Sequence, residues 1–137
     1  MAISLQTAAL SAMLASLLLA SALTYFRSIP NAPDGVSWWA GGFWAYAGAT
    51  GCVVFLAPVP GAIFLEILVS ASAVMIAAGT RRFLGYRVLA QVVVLGISLI
   101  VFWILAAEIF HLPVLARTVP VFILSGGALI ITGGSLW

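Results

Sequence analysis

VLAQVVVLGISLIVFWILAAEIF, residues 88–110, carries a single charged side chain, Glu108, and no proline. About 20 apolar residues rising about 1.5 Å each cover the roughly 30 Å of hydrocarbon in a bilayer, so this stretch predicts a membrane-spanning helix. Comparable runs occupy 3–26, 38–56, 61–79 and 114–137. Together they make the chain 65% hydrophobic and 6% charged, with a mean hydropathy of +1.30. A water-soluble core cannot absorb that much apolar surface in 137 residues. The expected fold is therefore all-α: one polytopic domain over 1–137, a bundle of five transmembrane helices whose first partner is the lipid bilayer.

The gaps between the runs carry the polar signals. Tyr25, Phe26 and Arg27 close the first run as an interfacial anchor, and Pro30, Pro33, Asp34 and Gly35 mark a polar loop before Trp38 and Trp39. Pro58 and Pro60 predict a very tight second connection. RRFLGYR predicts a basic loop holding Arg81, Arg82 and Arg87, and His111, Leu112 and Pro113 predict the last turn. The first run lacks the basic start of a cleaved leader and stays apolar for a full span, so it is expected to be retained. Arg27, Arg81, Arg82 and Arg87 then fall on one side and Arg117 on the other. The preference of arginine for the cytoplasmic face predicts an outer N-terminus and a cytoplasmic C-terminus.

Several function classes are excluded by composition. Five arginines, no lysine and three acids are too few and too scattered for a nucleic-acid footprint. Cys52 is the only cysteine, so no intrachain disulfide or thiol relay exists. His111 is the only histidine, which rules out a haem held by two histidines of one chain. No cofactor, metal site or catalytic group is expected. Gln91, Ser98, Thr132 and Tyr46 lie at span depth without lining up into a relay, so transport is not expected either.

Two patterns remain. Glu66, Glu108, His111 and Arg117 all fall toward the same side of the predicted bundle, with Glu108 and Arg117 the nearest candidate pair. A carboxylate at depth costs roughly 2.5–3.5 kcal/mol at a helix centre and calls for a partner. The four residues are candidates for a shallow outward pocket that senses a small ligand, a proton or a metal ion; the plain alternative is an interfacial salt bridge with heads in water. The second pattern is small residues. Ala8, Ala12, Ser16, Ala20 and Thr24 recur every four positions, Gly41, Ala45 and Gly48 share a face with Gly51 beyond, and Gly126-Gly127 is repeated as Gly133-Gly134. Such stripes let helices approach closely within the chain or against another membrane subunit or a second copy.

From Tyr25 to Arg87 the text reads YFRSIPNAPDGVSWWAGGFWAYAGATG, a proline turn, and a span ending AAGTRRFLGYR. This resembles the N-terminal membrane region of bacterial diguanylate cyclases that end in a GGDEF domain. The likeness rests on Arg27, Pro30, Trp39, Gly42, Gly48, Gly79, Arg82, Phe83 and Gly85, with Arg117 and Ser125 fitting more loosely. It covers about half of the chain, and the cyclase motif itself does not occur in the sequence. The resemblance implies a sensor module of a bacterial inner membrane that relays an outer stimulus to a cytoplasmic output. The alternative is a non-catalytic accessory subunit in a larger membrane complex.

Overall fold

A computed structural model describes residues 4–56 and 58–134, with side chains described outside 58–61. Five α-helices follow one another: α1 Leu5–Arg27, α2 Val36–Phe55, α3 Pro58–Phe83, α4 Ala90–Ile109 and α5 Val114–Gly134. No strand occurs among the described residues. Four helices, α1, α3, α4 and α5, are long and apolar enough to cross a membrane. Helix α2 matches α4 in length at 20 residues but is less apolar. Its glycines, Trp38, Trp39, Tyr46 and Thr50 lower its hydropathy. It packs between α1 and α3, so much of its surface meets protein rather than lipid.

Burial is inverted relative to a soluble bundle. The interior is built largely from small side chains, with Ala20, Ala49 and Ala107 buried, and Ile104 is the one large side chain fully buried among the described residues. Leu14, Leu18, Leu95, Phe102, Phe122 and Ile130 face outward. Large apolar groups outside and small ones inside is the arrangement lipid favours, because helix contacts there depend on close approach. Buried hydroxyls return to their own helix: Ser16 donates to the Ala12 carbonyl at 2.6 Å, Thr50 to Ala47 at 3.0 Å and Thr132 to Ala128 at 2.7 Å. Ser125 donates to the Val121 carbonyl in the same way. Each of these four hydroxyls is thus satisfied without water.

Glycine sets the approach of α2 to α3. A Cβ on Gly42 would sit 2.7 Å from Ile76 Cγ1, and one on Gly79 would sit 2.5 Å from Trp39 Cδ1. Gly41 lies against Met75 and Gly48 against Leu68, so α2 and α3 run antiparallel. Gly35, at φ +107°, opens α2 in a left-handed conformation and lies directly against the Gly79 carbonyl. A side chain there would be both strained and in collision. Trp39 closes this end, donating from Nε1 to Thr80 Oγ1 at 3.2 Å and packing its ring 5.3 Å from that of Phe83. On the other face, Trp44 Nε1 donates to Thr24 Oγ1 at 3.1 Å, and Gly51 meets Met13, which makes α1 antiparallel to α2.

Some details depart from the sequence reading. In α1 the buried positions are Ala9, Ser16 and Ala20, while Ala8 and Thr24 are exposed and Ala12 is half-buried. A step of four residues overshoots a turn of 3.6 by about 40°, so a strict every-fourth stripe winds off its face. Arg81 and Arg82 belong to the last turn of α3, not to the loop. That helix ends with the Tyr86 amide donating to the Arg81 carbonyl and the Gly85 amide to Arg82, both at 3.0 Å. Gly85, at φ +84°, supplies the left-handed residue this stop requires. Helix α3 also begins at Pro58, because first-turn amides have no helical acceptor and proline lacks only such an amide.

The packing gives a test. Gly42→Ala should destabilise the bundle by roughly 1–3 kcal/mol through overpacking. Gly126→Ala, where an added Cβ meets nothing within 4 Å, should be neutral or gain up to about 1 kcal/mol in helix propensity. Denaturant unfolding in mixed micelles, followed by circular dichroism, measures both; equal losses would contradict the glycine-set approach.

Candidate functional site

The end of the bundle opposite Arg27, Arg81, Arg82 and Arg87 is organised by one short connection. Helix α4 stops as α3 does: the Leu112 amide donates to the Ala107 carbonyl at 2.9 Å and the His111 amide to Glu108 at 3.1 Å. His111 holds the left-handed position at φ +49°, where glycine is usual, and Pro113 follows to prevent the helix from resuming. Helix α5 starts at Val114, which places Arg117 within its first turn and beside Glu108. Core contacts of Ile100, Ile104 and Val121 with Ile63 and Ile67 bring the start of α3 to the same level, and with it Glu66.

Arg117 joins all three helices. Its Nη1 donates to Glu108 Oε2 at 2.6 Å and its Nη2 donates to Glu66 Oε1 at 3.1 Å. Nε lies 3.0 Å from Glu66 Oε2, close enough for charge attraction but not aligned as a hydrogen bond. One edge of the guanidinium therefore faces Glu66 while a separate nitrogen takes Glu108, a division that the planar fork permits and an ammonium does not. The Arg117 and Glu66 side chains are 12% and 16% exposed, whereas Glu108 keeps 40%. The cluster is thus open at Glu108 and closed at Glu66. With both carboxylates ionised it carries a formal charge of −1.

Neighbouring groups hold the arginine in place. Trp103 Nε1 donates to the Arg117 carbonyl at 3.2 Å, fixing α4 to α5 just before Pro120, while Ser70 only returns its hydroxyl to the Glu66 carbonyl of its own helix at 2.7 Å. Beside Glu66, an apolar groove of about 270 Å³ runs between α3 and α5, lined in part by Val69, Thr118, Val121 and Phe122.

Of the four residues singled out in the sequence, three meet. Glu66, Glu108 and Arg117 form the cluster, and the pair expected between Glu108 and Arg117 is present. His111 lies at the adjoining turn, exposed, and its imidazole makes no hydrogen bond or ion pair among the described residues. Its backbone conformation accounts for its position. The role of Trp103 had no signal in the sequence beyond an aromatic residue near a span end. Among the described residues, no three His, Cys, Asp or Glu side chains gather as they would to hold a metal. Cys52 is half-buried and unpaired.

Comparison with family models, curated proteins and solved structures finds no match for this chain. The likeness to cyclase membrane regions rests on the quoted residues alone.

Two tests follow. Arg117→Gln leaves two carboxylates facing each other without a counter-charge and should cost about 3 kcal/mol or more, while Glu66→Gln/Glu108→Gln/Arg117→Gln should regain most of it. A triple variant as unstable as the single one would show that the charges do not set the packing. His111→Gly removes left-handed strain worth about 1 kcal/mol and should raise the unfolding midpoint; a lowered midpoint would mean that the imidazole has a structural partner.

Proposed function

We propose that this chain is a membrane-embedded sensory input module, without chemistry of its own, in which all five helices cross a bacterial inner membrane. The four-arginine end lies in the cytoplasm and the Glu66–Glu108–Arg117 end lies outside. A stimulus at the outer end changes how α5 packs on α3 and α4, and α5 carries that change to a cytoplasmic output.

What supports the reading most is the way α5 is held. It is anchored at its start by Arg117 and fully buries only Val121, Ser125 and Thr132 among its described residues, the rest being half-buried or exposed. A helix tied by one ionic knot and few packed side chains can adopt a second packing at modest cost, and a ligand with unequal affinity for the two shifts their populations. The half-exposed carboxylate of Glu108 gives such a stimulus access to the knot.

A second reading is a non-catalytic accessory subunit, seated in a larger membrane assembly or paired with another copy. It is favoured by Gly126, Gly127, Gly133 and Gly134, none of which has a neighbour within 4 Å of an added Cβ, unlike the packed glycines of α2 and α3.

The test is a chimera carrying a reporter cyclase domain after Trp137. Glu108→Gln and Arg117→Gln should each change cyclic-nucleotide output by about fivefold or more, the size of a coupling free energy near 1 kcal/mol. Unchanged output at equal membrane levels would overturn the sensor reading, and co-purification of a larger untagged subunit from native membranes would replace it with the second.

A further inference from the structure

The basic end of the bundle contains a second cavity, unrelated to the Arg117 cluster. It is a half-open pocket of about 460 Å³ at the surface, lined by Arg82, Arg87, Tyr86, Asp34, Gly85 and Leu89. Arg82 is fixed there by donating from Nη2 to the Val88 carbonyl at 3.2 Å. Arg81 stacks its guanidinium 5.3 Å from the centre of the Tyr86 ring, which keeps a third positive charge beside the opening. Helix α4 begins at this point, after Leu89, with no side-chain cap, so its first amides also favour an anion. Asp34 lines the same cavity and forms no ion pair with either arginine among the described residues.

We infer that this cavity binds the headgroup of an anionic glycerophospholipid whose phosphodiester is followed by a hydroxyl-bearing group, as in phosphatidylglycerol. The phosphate lies between Arg82 and Arg87, and the hydroxyls donate to Asp34. Three observations select a bilayer lipid as the occupant. The cavity sits where α3 ends and α4 begins, at the level where spanning helices leave hydrocarbon. Phe83, Tyr86 and Leu89 are exposed around it, and Val92 continues the exposed apolar track along α4, a surface suited to an acyl chain. Two lining arginines against one aspartate leave a formal charge of +1, to which Arg81 adds another beside the opening, so an anionic lipid suits the pocket better than a zwitterion. Asp34 is exposed at the rim, so it repels a bare anion and offers an acceptor that only a headgroup with donors can use.

The experiment is native mass spectrometry of the full chain released from detergent after equilibration with equimolar lipids of matched acyl chains. The lipids are phosphatidylglycerol, phosphatidylmethanol, phosphatidylethanolamine and phosphatidylcholine. Phosphatidylglycerol should be enriched over phosphatidylcholine, and Arg82→Gln and Arg87→Gln should each reduce that enrichment about fivefold. Arg27→Gln, which removes a charge at the same end but outside the cavity, should leave it in place and controls for diffuse attraction. Asp34→Asn should keep the preference for anions but abolish the preference for phosphatidylglycerol over phosphatidylmethanol, which has no hydroxyl. Glycerol 3-phosphate in excess should fail to displace the lipid. Displacement by glycerol 3-phosphate would assign the cavity to a soluble phosphate instead. Equal retention of all four lipids, or equal losses in Arg27→Gln and the cavity variants, would overturn the proposal. Unfolding midpoints in phosphatidylcholine micelles confirm that each variant is folded before its lipids are counted.

Discussion

A guanidinium surrounded by apolar side chains needs counter-charge, and in this protein two carboxylates from two different helices provide it. That requirement constrains how the second half of the bundle is assembled. Glu66 fixes the rotation of α3 at its first turns, Glu108 fixes the end of α4, and Arg117 fixes the start of α5. Beneath them Ile100, Ile104 and Val121 fill the space against Ile63 and Ile67 and keep the cluster apart from the rest of the interior. The Trp103 bond to the Arg117 carbonyl ties backbone as well as side chain. Charge attraction is stronger in this setting than in water, and each partner would be costly to bury without the others.

The first half of the bundle obeys a different rule. Helices α1, α2 and α3 are joined by close approach at Gly42, Gly79 and Ala20, with indole hydrogen bonds from Trp39 and Trp44 at the seams. Such contact is steep in distance: a fraction of an ångström separates good packing from collision. Helix α3 belongs to both halves, pressed on α2 through Met75 and Ile76 and tied to α5 through Glu66. One half is held by close packing along its length, and the other by the ionic cluster at one end together with the Ile100, Ile104 and Val121 core.

The sequence was most informative where a single physical requirement acts along the chain. Apolar length and the scarcity of charge gave the helices, because a segment in lipid must satisfy its own backbone. Glu66, Glu108 and Arg117 could be grouped because alternating spans place them toward one end and because each would be costly alone. Contacts that depend on helix rotation were less legible. The every-fourth stripe of small residues in α1 winds off its face at the helical pitch, so that Ala9 and not Ala8 is buried. His111 drew attention as a titratable group, whereas its backbone shows a helix stop, a role read from φ and two amide bonds rather than from residue type. Arg81 and Arg82 looked like loop residues because charge ends an apolar run, although hydrogen bonding carries the helix on to Phe83.

The lower hydropathy of α2 follows from the same division. A helix facing lipid on most sides must be apolar around its circumference, as α4 is, whereas one lying between two others can spend that surface on glycine, hydroxyl and indole. Helix α2 therefore falls short of the apolarity of the other four helices for the reason that makes it the centre of the packed half. On the sensor reading, this assigns the two halves separate tasks. The glycine-packed helices give a fixed reference, and the arginine knot gives the one joint whose loosening would move α5 without disturbing α1 and α2. A stimulus acting on the packed half would have to part several close contacts together; at the knot it need compete only for Glu108, whose carboxylate is already half in contact with the surroundings.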